Sequence, residues 1–332
     1  MKKGCAESTN KSYSAAQKRF KFFCDSYNIT WSTNLNLRAV ERLLLQYVTW
    51  RAISSTVVAS TIRNEIFGIR NLFVQHFNGW SVSNMASLKL LLKGIKRDKK
   101  HRKDTRKPIT NDILRKIFSN LGNDIDNTLV KTVFLLAKSL MLRCDEYTID
   151  NGQPIANQQI LKWKHVSFLP SFKNPNKVVI TISKSKTKQF TSQETGDICR
   201  CNDLCIVHLL KKWKQSCFSQ GKGRNSDPLF TFTDGKILSR QRWGRIIKSQ
   251  ITQIGLSAKV YKPHSLRIGG ACDYYARGIS ISVIKKLGRW ESDAVLLYIR
   301  LEMKSVLLAL RRLEDNLAVE CEHSYSMGYK AR

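Results

Sequence analysis

The stretch Pro263-His264-Ser265-Leu266-Arg267-Ile268-Gly269-Gly270 sets a histidine and an arginine three positions apart in an otherwise small and apolar frame. Residues three apart share one face of a helix, so His264 and Arg267 would offer an imidazole and a guanidinium to the same space. H-x-x-R is a short pattern, and alone it fits an ordinary surface pair as well as a site. Two other segments change its weight. Upstream, Leu140-Met141-Leu142-Arg143-Cys144-Asp145-Glu146 closes a strongly apolar run with an arginine and, three positions later, a glutamate. Downstream, Leu287-Gly288-Arg289-Trp290 is followed by Tyr298 among Leu296, Leu297 and Ile299. Taken singly, Arg143 reads as a charge near a helix end and Tyr298 as a core aromatic with its hydroxyl satisfied.

These segments lie in a very basic chain. Its 332 residues carry 57 Lys and Arg against 25 Asp and Glu, a formal net charge of +32 with a pI near 10.0. The length suggests two domains, and 42% hydrophobic residues are enough to give each a core. No apolar run reaches the roughly 18 residues of a membrane span. The longest, Val130 to Leu142, is broken by Lys131 and Lys138, which excludes an integral helical membrane protein. Residues 1–107 hold 21 basic and 6 acidic side chains, so both halves are basic. That distribution suits a protein gripping a polyanion from two sides, and nucleic acid is the first choice. The opening Met1-Lys2-Lys3-Gly4 lacks the apolar region of a secretory signal. The expectation is therefore an intracellular protein with reduced thiols, nuclear if the host is eukaryotic. Among nine cysteines, Cys199, Cys201 and Cys205 stand close to His208. Their C-x-C-x3-C-x2-H spacing is not a usual finger or ribbon pattern, and no metal is expected there.

Four amphipathic stripes organise the first hundred residues into a helical bundle. They are Tyr13, Ala16, Phe20, Phe23, Cys24 and Tyr27; Val40, Leu43, Leu44, Tyr47 and Val48; Ile62, Ile66, Ile69 and Phe73; and Met85, Leu88, Leu91, Leu92 and Ile95. From Lys93 to Lys107 the chain holds nine Lys or Arg residues: Lys93, Lys96, Arg97, Lys99, Lys100, Arg102, Lys103, Arg106 and Lys107. Such a run cannot bury itself and reads as an exposed linker able to lie along phosphates, with nuclear import as a second use. Beyond Pro108, Thr110 caps a helix over about Asp112–Leu121, and an apolar helix covers about Thr128–Leu142. The β-branched run Val178–Ile182 is a strand, and Lys184–Gln189 follows as a hairpin turn. Helical patterns return from Leu204, with a turn at Asp234-Gly235. The stripe Met303, Val306, Leu307, Leu310 and Leu317 is a last amphipathic helix before a polar tail.

Arg143 with Glu146, His264 with Arg267, Gly288-Arg289-Trp290 and Tyr298, in that chain order, resemble the tyrosine recombinase (phage-integrase-like) family. The family signature is an Arg in an L-R-x-x-E segment, an H-x-x-R, a G-H or G-W and a C-terminal Tyr. The resemblance implies a mainly α fold with a small β-sheet (α+β). It divides the chain into a helical core-binding (SAM-like) domain at 1–97, a basic linker at 98–108, a mixed α/β catalytic domain at 109–320 and a polar tail at 321–332. The Cys-rich 199–205 stretch, Arg289-Trp290 and a spacing of eight positions from Trp290 to Tyr298, one fewer than is common, resemble recombinases of eukaryotic mobile elements such as the Crypton and DIRS types.

The residue types suit the chemistry that the resemblance implies, cutting and rejoining of double-stranded DNA through a 3'-phosphotyrosine. Attack on a phosphodiester builds charge on the non-bridging oxygens, and planar guanidinium groups such as Arg143 and Arg267 hold two oxygens at once. A phenol with an ordinary pKa near 10 is only about a thousandth ionised at neutral pH. The nucleophile Tyr298 therefore needs cationic neighbours and a proton acceptor, for which His264 is placed. Trp290 donates from its indole but accepts no proton, so positioning and packing are its part. Glu146 buttresses the arginines. The family draws the leaving-group proton from a lysine on a β-hairpin turn, which is Lys186 or, one register step away, Lys184. No cofactor or metal is needed, in keeping with the absence of a G-x-x-x-x-G-K-[ST] loop. Implied partners are double-stranded DNA and three further copies in a homo-tetramer on paired sites, with Met303–Leu317 as the element exchanged between protomers. Two rival readings are a non-catalytic DNA-binding protein of the same fold and a type IB topoisomerase-like enzyme.

Overall fold

A computed structural model of the chain describes residues 7–299 apart from 33–34, 74–84, 99–103, 153, 155–157, 159, 184–191 and 201. The chain divides into two compact units, residues 1–104 and 105–332. The architecture is mainly helical, with eleven α-helices and one three-stranded antiparallel sheet among the described residues. None of the described helices is long and apolar enough to cross a membrane.

The first unit holds α1 (Glu7–Ser26), α2 (Leu37–Ile53), α3 (Ala59–Phe73) and α4 (Ala86–Asp98). Asn36 starts α2, its side chain accepting from the Ala39 N–H at 2.9 Å. The stripes meet in one core of Phe20, Phe23, Leu44, Tyr47, Ile62, Ile66, Ile69, Phe73, Met85 and Leu88. Tyr27, read as the end of the first stripe, lies beyond α1 and is 58% exposed, because the chain has already left the helix. Glu65 is buried among these apolar groups. It accepts from Tyr47 Oη at 2.9 Å and from Arg19 and Arg51, so its charge is compensated.

The basic run is not the continuous linker that its composition suggests. Lys93, Lys96 and Arg97 belong to the exposed last turns of α4, where cations favour the negative helix end. At its other end, the Lys107 N–H donates to Val260 O at 2.8 Å and the Ile109 N–H to Ser265 O at 3.0 Å, which fixes residues 107–109 to the second unit. Lys99, Lys100, Arg102 and Lys103 lie outside the described residues.

The second unit runs through α5 (Asn111–Asn120), α6 (Ile125–Ser139), α7 (Cys144–Tyr147), β1 (Val166–Leu169), β2 (Lys177–Ile182), β3 (Gln193–Ile198), α8 (Ile206–Phe218), α9 (Arg240–Gln253), α10 (His264–Ala276) and α11 (Ile281–Gly288). Thr110 caps α5 as expected. The apolar helix begins earlier than its pattern suggests, because Asp124 caps α6 by accepting from the Asn127 N–H at 2.9 Å. It also ends at Ser139, three residues early, because Met141 takes a left-handed φ of 47°. The sheet order is β1-β2-β3, with Val166 opposite Ile180 and Val179 opposite Gly196. Only β2 was legible as a strand. The core gathers α6, α8, α9 and the sheet around Trp163, Trp213 and Trp243, and Trp213 Nε1 donates to Leu229 O at 2.8 Å. The stripe from Met303 to Leu317, the tail with Tyr325 and Tyr329, and the turn carrying Lys184 and Lys186 lie outside the described residues.

Candidate active site

Three helix ends deliver the residues of the three segments. Past α6 the left-handed Met141 turns the chain, the Leu142 N–H donates to Ala137 O at 3.0 Å, and Arg143 becomes the N-cap of α7. One turn on, Glu146 Oε2 accepts from the Arg143 backbone N–H at 2.8 Å. His264 is the first residue of α10, after Pro263, which sets Arg267 one turn inside the helix. At the other end of the motif α11 closes at Gly288, and Arg289 follows with φ 59° and ψ 45°. That left-handed residue sends its own side chain back beneath the helix and brings Trp290 forward. A Cβ on Gly288 would fall 1.8 Å from a Trp290 ring carbon, so only glycine lets the indole fold over the helix end.

Arg143, Arg267 and Arg289 meet around one carboxylate. Glu146 Oε1 accepts from Arg143 Nη1 at 3.1 Å and Oε2 from Arg289 Nη2 at 2.8 Å. Arg289 also donates to Leu140 O at 3.3 Å and Leu287 O at 3.1 Å. Arg267, 1% exposed, donates through Nη2 to Gly288 O at 2.7 Å and through Nη1 to Met141 O. It thereby ties the end of α6 to the end of α11. The Nε groups of Arg267 and Arg289 are buried with no partner. Burial, followed by the neighbouring cations Arg143 and Arg289, pushes the Arg267 guanidinium down to about 9. Burial also lowers Arg289, against the pull of Glu146. Three guanidinium groups against one carboxylate leave a positive excess in a poorly solvated place, and an oxyanion relieves it.

Tyr298 closes this cluster. It ends a single 3-10 turn, Asp293–Leu297, and its ring lies 4.9 Å from the Trp290 ring and 5.1 Å from the His264 ring, centre to centre. The Arg267 guanidinium stands 3.9 Å from the centre of the Trp290 ring and 5.6 Å from that of Tyr298. Cation–π contact of this kind is worth about 0.5–2 kcal/mol and fixes both partners. Beneath lies a small apolar cluster of Met141, Ala271, Ile284 and Val295. Arg143, Glu146, His264, Arg267, Trp290 and Tyr298 are thus brought together from sequence positions up to 155 apart. Tyr274, on the same helix as Arg267, is spoken for: it donates to Ser139 O at 3.0 Å and accepts from Arg200 at 3.2 Å, and burial pushes its hydroxyl up to about 12.

Arg289 is the member that sequence reasoning missed. It sits between two motif residues and precedes Tyr298 by nine positions, whereas Trp290 precedes it by eight. Arg289 has a left-handed backbone, and the next side chain, Trp290, is the one that lies against Tyr298. Lys186 and Lys184 belong to the connection between the paired strands β2 and β3, outside the described residues. At the base of that connection Ser183 Oγ lies 3.4 Å from His165 Nε2.

The phage integrase family model matches residues 148–304, which contain His264, Arg267, Arg289, Trp290 and Tyr298 and begin just after Glu146. Among solved structures, the XerH site-specific recombinase in a post-cleavage complex with palindromic difH substrate is similar over 93% of this chain and 79% of that one, with a TM-score of 0.58 at 14% identity. The Tn1549 transposon integrase in complex with transposon right end DNA is similar over 92% of this chain and 99% of that one, with a TM-score of 0.51 at 12% identity. A lambda integrase dimer bound to a core site is similar over 90% and 73%, with a TM-score of 0.51 at 14% identity. At these identities the likeness is one of fold, and the fold is that of the tyrosine recombinases. No curated protein matches the chain.

Proposed function

We propose that this chain, which has the tyrosine-recombinase fold and whose residues 148–304 fall in the phage integrase family, is a site-specific DNA recombinase that integrates or excises a mobile element. The observation that carries the reading is the position of Tyr298, flanked by His264 and Trp290 at the edge of a buried arginine cluster with more positive charge than its one carboxylate balances. Binding DNA alone requires no phenol beside buried, underpartnered guanidinium groups.

In this mechanism Arg143 and Arg267 hold the non-bridging oxygens of one phosphodiester and stabilise the charge that develops on them. The Tyr298 hydroxyl attacks phosphorus, its proton passes to His264, and the P–O bond to the 5'-oxygen breaks. The departing 5'-oxygen takes a proton from Lys186. The product is a 3'-phosphotyrosine and a free 5'-hydroxyl, and attack by a 5'-hydroxyl of another strand reverses each transfer and releases Tyr298. The phosphodiester energy is retained in the protein–DNA bond, so no nucleotide is consumed. Trp290 holds Arg267 and Tyr298 in register. Glu146 and Arg289 position Arg143, through the shared carboxylate and the Arg289 carbonyl, which accepts from Arg143 Nη2 at 3.5 Å. The solved relatives named above include complexes with DNA, and the charge of +32 suits the same partner. Exchange between two duplexes calls for a tetramer on paired sites.

The test is a nicked duplex that loses its 5'-hydroxyl fragment after cleavage, incubated with wild type and with Tyr298→Phe. Wild type should give a protein–DNA adduct that survives denaturant, and Tyr298→Phe should bind DNA and give none. Adducts from both proteins would move the nucleophile elsewhere. Adducts from neither, with DNA bound by both, would favour a binding protein. Supercoil relaxation at low protein concentration without joining of two labelled duplexes would favour a topoisomerase.

A further inference from the structure

The connection from β3 to α8 gathers three soft ligands whose spacing in the sequence resembles no common metal motif. Cys199 Sγ lies 3.6 Å from Cys205 Sγ and 3.2 Å from His208 Nε2, and the three ligand atoms are all within 4.8 Å of one another. Two thiolates bound at about 2.3 Å to a tetrahedral ion are roughly 3.8 Å apart, and a thiolate and an imidazole nitrogen on such an ion are roughly 3.5 Å apart. The separations in the protein are close to those edges. Cys199 follows β3 directly, whereas Cys205 is the N-cap of α8 and His208 lies in its first turn, so the ligands come from two elements.

The surroundings suit sulfur that carries negative charge. The Arg200 backbone N–H donates to Cys205 Sγ at 3.3 Å, the kind of outer contact that orients a metal thiolate. Cys205 also occupies the positive end of a 13-residue helix and makes no side-chain capping bond of its own. Two thiolates balance a divalent ion, so binding adds no charge to an already cationic protein.

The strand also has a use for the anchor. Of the six residues of β3 only Thr195 is buried, and Ile198 is 65% exposed. Besides its ladder to β2, β3 has the Thr195 hydroxyl donating to Leu287 O at 3.2 Å, but little apolar burial. By contrast α8 is rooted in the core by Ile206, Val207, Leu210 and Trp213.

We propose that Cys199, Cys205 and His208 bind zinc as two thiolates and an imidazole nitrogen of a tetrahedral ion, and that the ion clamps the end of β3 to the start of α8. A donor set of two sulfurs and one nitrogen selects zinc among common biological cations. Binding releases the protons of whichever thiols were not already ionised. The site does not depend on the strand-transfer reading, and its test does not use recombination.

The experiment uses the full chain, stripped with chelator under reducing conditions and titrated with zinc and, as a spectroscopic probe, with cobalt. One equivalent of metal per chain is expected. Cobalt should show sulfur-to-metal charge transfer together with the strong visible bands of a tetrahedral site. Cys199→Ser and Cys205→Ser should each lose part of that charge transfer. His208→Ala alters an exposed side chain that the fold does not need, and it should weaken cobalt binding at least about tenfold. Zinc should slow amide exchange at 193–198 in wild type, and equal protection in His208→Ala should need at least about tenfold more zinc. The proposal is overturned by a wild-type chain that takes up no stoichiometric metal, by a cobalt spectrum without sulfur charge transfer, or by a spectrum that Cys199→Ser and His208→Ala leave intact. A Cys199–Cys205 disulfide in protein purified with zinc present would overturn it as well.

Discussion

Glu146 holds the charge balance of the arginine cluster. Its side chain is 4% exposed and serves Arg143 and Arg289, the latter 2% exposed. Glu146→Gln keeps the shape and leaves the cations without their counter-charge. Removing one partner of a buried pair costs about 3–5 kcal/mol. Urea denaturation should report a loss of that size, and sulfate or phosphate should restore part of it by occupying the site in the folded protein only. Arg289→Met should cost less, because Glu146 keeps Arg143 and Arg267 loses a repelling neighbour. A loss below about 1 kcal/mol for Glu146→Gln, indifferent to added anion, would mean that solvent already screens the cluster. The meeting of Arg143, His264, Arg267, Trp290 and Tyr298 in one place was legible because the family that the chain resembles carries these residue types in that chain order. Arg289 was not, because its direction depends on one left-handed backbone angle at a residue that is not glycine.

Helix α10 reaches the site only by lying against the end of α6, and Gly270 permits the approach. A Cβ there would stand 2.2 Å from Lys138 O and 2.8 Å from Met141 Cγ. Backbone offers little give, so Gly270→Ala should cost at least the 1–3 kcal/mol typical of overpacking, about 1 kcal/mol of helix propensity notwithstanding. Calorimetry should show a lowered Tm, and adduct formation should fall further than stability does, since α10 carries both His264 and Arg267. An unchanged Tm would show that the two helices part without strain. Elements with periodic apolar faces, α2 and α3 above all, were readable because every core position lies on one stripe. The sheet was readable only at β2, which is apolar on its buried face. Its partner β3, Gln-Glu-Thr-Gly-Asp-Ile, is a strand through its ladder to β2 and not through its own side chains. Composition likewise hid the split of the basic run, because charge marks exposure and does not distinguish a helix end from a linker.

At the scale of the molecule the excess of charge is shared. Residues 1–107 hold 21 basic and 6 acidic side chains, which leaves 36 and 19 for the rest. Binding to duplex DNA should therefore be dominated by counterion release, with log affinity falling by about 0.9 per phosphate contact for each unit of log salt. Lys93, Lys96 and Arg97 are exposed on the last turns of α4 and are suited to such contacts. Replacing all three with Gln should reduce the slope by up to about 2.7, weaken binding on every sequence alike, and leave cleavage at saturating protein unchanged. A slope equal to that of wild type would place the phosphates elsewhere, along Arg106, Lys107 and the rest of the second unit. A change in sequence preference would instead mean that α4 reads bases. The separation matters because, under the proposed function, the arginine cluster holds one phosphate in one orientation. The rest of the charge has only to keep the duplex there long enough, so affinity and chemistry should respond independently to salt.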